Sequence, residues 1–334
     1  MPRIYGTWRK KTVPDSWFSY DSPNRLASSQ AGASSFAWSE SYSYDGFGNL
    51  TDKNVTAGSA PVLHVTVNAA TNRFTGTYTY DLNGNLSYGG SADANYTYDI
   101  ENRMIRQWNT TTGTSELYSY GPDNQRVWKR RSDGSEQVTF YGVGGERMDV
   151  YQPISSSSGV LTGGGDQLYF AGRPVSYGSD RLGSKRADSP NTQGQTIAYT
   201  YFPYGEEYTT TTQDTDKFGT YLRDSTTALD YARNRYYSNR LARFLTADPY
   251  RASGGPADPG SWNRYAYVGN DPANVKAVAD NARKRMRERL AQIEFALIHL
   301  QHIHAPAFFV NQIEHGFYGF SSAVFGNCRD RSSD

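Results

Sequence analysis

Residues 42–53 read YSYDGFGNLTDK, and the phrase returns as YTYDLNGNLSYG at 78–89, YTYDIENRMIRQ at 96–107 and YSYGPDNQRVWKRR at 118–131. The spacing is regular: Asp81 and Asp99 lie 18 residues apart, Asp45 and Asp81 lie 36 apart, and NRFTG at 72–76 marks a degenerate unit between them. A short fixed period is the mark of repeat units that cannot bury an apolar face alone. Each unit carries tyrosines at i and i+2 (Tyr42 and Tyr44, Tyr78 and Tyr80, Tyr96 and Tyr98, Tyr118 and Tyr120), which a strand places on one face. Turn-forming pairs follow: Asp45-Gly46, Asn83-Gly84 and Glu101-Asn102. The expectation is a series of β-hairpins added edge to edge, their tyrosine ladders stacked on one side, with each cross-strand pair worth roughly 0.2–1 kcal/mol.

The rest of the composition agrees with such an array. The 334 residues include 27 tyrosines and 32 glycines at a mean hydropathy of -0.72, so strands and tight turns are built from amphipathic rings. A net charge of +1 gives no overall attraction to nucleic acid or to an acidic membrane. The single cysteine, Cys328, excludes an internal disulfide framework and a cysteine-based metal cluster. The first residues, MPRIYGTWRKK, have no apolar core of a signal peptide, and no apolar run approaches a membrane span. SSSSGVLTGGG at 155–165 reads as a surface loop and lacks the Gly-Lys-Ser/Thr ending of a phosphate-cradling loop.

Downstream the motifs grow denser. Residues 168–207 contain DRLGSKR and YFPYGEE, where Gly183 and Gly205 supply positive φ and the charges, Glu206 and Glu207 among them, solvate turns. Residues 217–274 run from KFGTYLRD through the aromatic strand pair Leu229 to Tyr237, the basic turn Asn239 to Arg243 and FLTADP, to the last strand NRYAYVGNDPAN. This order of motifs resembles bacterial Rhs proteins, relatives of the Tyr-Asp (YD) repeat family that includes teneurins. Tyr177, Asp180, Leu182, Gly183, Ser184 and Arg186 fill the places of its Tyr-x-x-Asp-x-Leu-Gly-Ser-x-Arg pattern, and the likeness spans roughly residues 40–274. It implies a mainly β fold, a YD-repeat hairpin array forming a curved, incomplete shell, with a short α-helical C-terminal segment. The implied divisions are repeat hairpins over 1–167, an Rhs-associated core over 168–274 and a variable segment over 275–334.

The resemblance also carries chemistry. Family members that release their C-terminal segment look like aspartic proteases acting on themselves, and by position the arginine is Arg235 and the first aspartate Asp248. Aspartic chemistry needs two carboxylates sharing one proton. The second family aspartate, in an Asp-Pro-x-Gly motif after the last strand, is missing. Asp280 lies near its place without Pro or Gly, and Asp271 belongs to the preceding turn. The site is therefore incomplete, which argues against an enzyme and for Asp248 as a turn residue before Pro249.

Beyond Asn274 apolar residues recur at three and four, a helix over about 275–303, with Arg283, Lys284, Arg285, Arg287 and Arg289 on the other face. A solvated face is the ordinary reading of that run; contact with nucleic acid or an acidic surface is the other. His299, His302, His304 and His315 lack the partners of a metal motif, and no cofactor is implied. The function expected is structural: enclosing or presenting the C-terminal segment for export or competition between bacteria. The partners expected are that segment, an immunity protein or a secretion-system component. The location implied is secreted or cell-surface as part of a full-length protein. A self-cleaving shell that frees a toxin, a toxin tail acting on nucleic acid and a glycan-binding adhesin using the tyrosine faces are the alternatives.

Overall fold

The computed structural model describes residues 16–32, 37–89, 94–142, 145–153, 161–163, 169–170, 173–188, 194, 196–211, 213–249 and 262–275. The expected helix over 275–303 except its first residue Val275, its basic face, Asp280, the histidine cluster and Cys328 lie outside them. The described chain is almost wholly antiparallel β, with 3₁₀ turns at Phe218–Thr220 and Val268–Asn270 and no α-helix among the described residues.

Strands pair in chain order. Ser16–Tyr20, Leu26–Ala31, Trp38–Tyr44, Leu50–Gly58 and Leu63–His64 make a five-stranded sheet. A nine-stranded sheet runs from Thr79–Tyr80 through Leu86–Tyr88, Ala94–Tyr98, Met104–Asn109, Ser115–Tyr120, Arg126–Arg131, Glu136–Tyr141 and Arg147–Pro153 to Leu161–Gly163. Its last strand falls within the stretch read from sequence as a surface loop, because Leu161, Thr162 and Gly163 find partners on Arg147–Pro153. The two sheets part at the degenerate unit, where the short ribbon Val67–Asn68 with Arg73–Phe74 carries no tyrosine pair. Both sheets are open, not closed into a barrel.

One turn geometry generates the array. Asp45 N–H donates to the Asn49 carbonyl and Gly48 N–H to the Asp45 carbonyl, while the register shifts by one residue between Ser43 and Tyr44. That is a tight turn closed by a residue at positive φ, followed by a bulge. The same shift recurs before Tyr20, Tyr80, Tyr98, Tyr120 and Tyr141. The left-handed residue stands three places after the aspartate, at Gly48, Gly84 and Asn102, and not at Gly46 as the Asp45-Gly46 pair suggests. Each aspartate carboxylate locks its own turn: Asp45 Oδ1 accepts from the N–H groups of Phe47 and Asn49, and Asp99 Oδ1 from those of Glu101 and Arg103. Adjacent turns are tied by the residue four places on, since Asn49 Nδ2 reaches Asn72, Asn85 Nδ2 reaches Asn102, and an Arg103 nitrogen reaches Asn124.

The tyrosine pairs divide their work. In three of the four pairs the first ring (Tyr42, Tyr96, Tyr118) is buried in the core and the second packs partly against it, whereas Tyr78 and Tyr80 are both only partly buried. In three pairs the second hydroxyl donates backwards to a carbonyl of the preceding hairpin, Tyr44 to Leu26, Tyr98 to Leu86 and Tyr120 to Met104, at 2.7, 2.8 and 2.5 Å. Tyr141, which has no partner ring two residues before it, donates likewise to Arg126 at 2.8 Å, while the Tyr80 hydroxyl accepts from the Phe74 N–H. One ring supplies apolar area and the other satisfies a main-chain acceptor, which suits a half-buried amphipathic side chain.

A smaller five-stranded sheet, Thr215–Asp216, Leu222–Arg223, Asp230–Tyr231, Tyr236–Ser238 and Arg243–Phe244, is built from the stretch expected from sequence to be the core segment and lies against the aromatic face of the wall. Tyr42 meets Tyr204 edge-on at 5.6 Å, Tyr118 meets Tyr236 at 5.4 Å and Trp38 meets Phe202 at 4.9 Å. The Leu86 N–H donates to the Leu245 carbonyl, so backbone pairing also crosses between the two.

Candidate functional site: the seam between repeat wall and core segment

The inner face of the wall carries charge as well as rings. Glu40, Lys53, Glu116, Arg126 and Lys129 are buried there, and ions so placed must find partners. The core segment provides them. Asp224, fully buried, takes a bidentate pair of bonds from Arg126 at 2.6 and 2.9 Å and a third from Lys129 at 2.9 Å. Lys129 and Arg131 also reach Asp214, at 2.5 and 2.7 Å. The Arg126 guanidinium lies against the rings of Tyr118 and Tyr231, and the Arg126 backbone N–H donates to the Tyr231 hydroxyl. Burial opposes ionisation of Asp224, but Arg126 and Lys129 outweigh it and hold the carboxyl down at about 2. Glu116 lacks so direct a partner: burial pushes its pKa up, and its Oε2 accepts from Tyr118 at 2.7 Å.

Four further ion pairs fasten the core. Arg147 pairs with Asp216 at 2.6 Å, and Tyr177 donates to the same carboxylate at 3.1 Å. Arg223 grips Asp230 through two nitrogens at 2.8 and 2.7 Å. Glu207 holds Lys217 at 2.6 Å, while Glu206 contacts Lys53. These two glutamates do not solvate a turn as their place after Pro203-Tyr204-Gly205 suggests; they answer buried cations. DRLGSKR does match its expectation of a turn, with Asp180 Oδ1 accepting from Leu182 and Ser184 and Oδ2 from Arg186.

Arg243, at the end of the basic turn read from sequence, is buried. Its guanidinium is sandwiched between Phe74 at 4.3 Å and Tyr265 at 4.4 Å and donates to the Asn72 carbonyl, and burial lowers its pKa. A cation seated between two ring faces is bound by their quadrupoles.

The structure brings Arg235 and Asp248 near each other, with 3.6 Å between the Arg235 guanidinium and Asp248 Oδ2. Arg235 also covers the Phe244 ring at 3.7 Å, and the Asp248 main chain pairs with Arg264. A guanidinium beside one carboxylate can orient an amide carbonyl, whereas water activation of the aspartic type needs a second carboxyl. Asp271, the other aspartate named from sequence here, caps the turn to Asn274, whose amide Nδ2 donates to Tyr20 at 2.7 Å. Among the described residues no group of three or more His, Cys, Asp or Glu is placed to hold a metal. No described helix is long and apolar enough to cross a membrane.

Sequence reasoning missed the buried ions. Lys53 stands at the end of a unit as LTDK and Lys129 as RVWK, and both close hairpins whose first strand carries Glu-x-Tyr, at Glu40 and Glu116. That pairing of Glu-x-Tyr with a following Lys was a visible signal.

Together the hairpin wall, its aromatic inner face and the core sheet seated on it define an Rhs-repeat β-fold. Comparison with known proteins agrees at the level of fold. No family model matches the chain. It is 29% identical over 252 residues to the tRNA3(Ser)-specific nuclease WapA of Bacillus spizizenii and, equally, to the tRNA nuclease WapA of Bacillus subtilis. The match takes in 69% of this chain but spans only 10% of the length of those relatives. Among solved structures, the crystal structure of TcdB2-TccC3-Cdc42 superposes with a TM-score of 0.56 at 19% identity, over 80% of this chain and 15% of that one. A Photorhabdus luminescens Tc holotoxin pore matches with the same TM-score, identity and coverage. These relatives support the Rhs/YD-repeat likeness read from the motifs.

Proposed function

We propose that this chain is the repeat-and-core portion of an Rhs-type, teneurin-related toxin protein, and that it acts as a wall that presents residues 275–334 as an effector for export or competition between bacteria. The observation carrying this reading is the seam: the rings and ions of the repeats are consumed in holding their own core segment. The WapA relatives are named as tRNA nucleases and one structural neighbour as a Tc holotoxin pore, which favours toxin delivery. In this reading the divisions are 1–167, 168–274 and 275–334, the basic run Arg283 to Arg289 faces the target, and an immunity protein or a secretion component is the outside partner. Production of residues 275–334 with and without the preceding chain, scored by growth arrest and by cleavage of cellular RNA, tests it. A tail that is inert in both forms refutes the effector role.

A second reading is favoured by the approach of Arg235 to Asp248: the wall cuts itself and frees the tail. Intact mass of the purified chain decides, since self-cleavage requires fragments in the native chain and none in Asp248→Asn. The adhesin reading is disfavoured by the burial of Tyr42, Tyr96 and Tyr118 under other side chains.

A further inference from the structure

Lys53 lies on the strand Leu50–Gly58, directly opposite Tyr42, and its side chain is 1% exposed. Its Nζ contacts Glu206 Oε1 and donates to the Arg240 carbonyl at 3.2 Å. Glu206 arrives from 153 residues downstream and is itself mostly covered. On the same face as Lys53, two residues before Tyr42, is Glu40. Its Oε2 accepts from the Tyr42 hydroxyl at 2.7 Å, and its Oε1 is buried without a hydrogen-bond partner. Rings border the group, Tyr42 with Tyr204 and Trp38 with Phe202. The seam therefore holds an amine against a carboxyl, with a second, half-satisfied carboxyl nearby, in a dry aromatic setting.

We propose that Lys53 and Glu206 condense to an intramolecular amide that staples the repeat wall to the core segment, with Glu40 carrying the proton. The neutral Nζ attacks Cδ of the protonated Glu206 carboxyl. The new N–C bond forms, one C–O bond breaks, and Glu40 relays the proton released by Nζ to the departing oxygen. The chain loses one water, and nothing is oxidised or reduced.

Three features favour the step. Burial lowers the Lys53 ammonium to about 8, which supplies free amine near neutral pH, and raises the Glu40 carboxyl, which favours its proton-bearing form. Contact between the reacting groups removes the entropy cost of encounter. A buried ion pair is costly to keep, while a neutral amide in a site closed to water is not, so the equilibrium that favours hydrolysis in bulk water is shifted.

The Lys129 cluster is the internal contrast. It has the same Glu-x-Tyr and Lys arrangement, but Arg126 and Arg131 brace the facing aspartates and keep them anionic. An anionic carboxylate is a poor electrophile. Among the described residues no guanidinium pairs with Glu206, and the amide is confined to Lys53.

The purified full chain, denatured and weighed, then digested with trypsin, tests this. The expected results are a mass one water short, resistance to cleavage after Lys53, and a branched peptide joining the segments that contain Lys53 and Glu206. Lys53→Arg restores the full mass. Glu40→Gln, checked for an unchanged circular dichroism spectrum, slows formation of the branched peptide by about a hundredfold, the scale of general acid–base assistance. Linear peptides with cleavable Lys53 after prolonged incubation of the folded chain, or water loss mapped to another position, would overturn the proposal. So would an undiminished rate in folded Glu40→Gln, which removes the assigned proton carrier.

Discussion

Replacing Asp224 by Asn tests whether charge holds the seam together. The carboxylate is completely buried and takes three charge-assisted hydrogen bonds, two from Arg126 and one from Lys129. Lys129 keeps Asp214 in the variant, so the stranded cation is Arg126, itself buried. Breaking a buried pair by removing one partner costs roughly 3–5 kcal/mol, because the other charge stays uncompensated. The protonation-linked share follows from the carboxyl held at about 2 instead of 3.8, which at roughly 1.4 kcal/mol for each pH unit contributes about 2 kcal/mol. The sign is fixed. A depressed carboxyl stabilises the fold above 3.8, and that contribution fades as pH falls through about 2. Urea unfolding followed by tryptophan fluorescence, with the midpoint compared at constant slope, should show the full loss near neutrality and a shrinking gap in acid. A loss below about 1 kcal/mol, on the low side for a single neutral hydrogen bond, would refute the assignment of the seam to this ion pair.

Other consequences are more local. Burial raises the pKa of Tyr42, Tyr118, Tyr204, Tyr231, Tyr236 and Tyr237, so stability present below pH 10 is lost as pH rises beyond it; tyrosinate absorbance should jump cooperatively with unfolding instead of rising smoothly near 10. Tyr98→Phe removes the bond to the Leu86 carbonyl and should cost about 1 kcal/mol by thermal or urea unfolding, whereas Phe18→Tyr on the partly exposed edge should be near neutral. Gly58→Ala forces a methyl into the Ala37 carbonyl at a φ of 66° and should cost more than about 1–3 kcal/mol, read as a lowered urea midpoint or loss of soluble protein. Asp99→Ala unlocks a turn and its tie to Arg103, so amide exchange should quicken at Glu101 and Arg103 ahead of the neighbouring turns.

The sequence by itself determined the hairpins. Tyr-x-Tyr-Asp followed by Gly or Asn fixes strand, turn and bulge through contacts within five residues, and such contacts need no knowledge of the rest of the chain. Even so, the left-handed residue was legible only in part, because Gly46 and Gly48 are equally permissive and the Asp45 bonding pattern chooses between them. Arg235 and Asp248 were named together only through the family resemblance, and their 3.6 Å approach and the cover of Phe244 came from folding. Tertiary structure alone decided which rings cover which, and that Glu206 answers Lys53 and Asp224 answers Arg126 across 153 and 98 residues. The reason is physical: a charge in an exposed turn and a charge in a sealed seam have the same letter in the sequence. Burial, which sets the strength of every electrostatic contact, exists only once distant segments have packed.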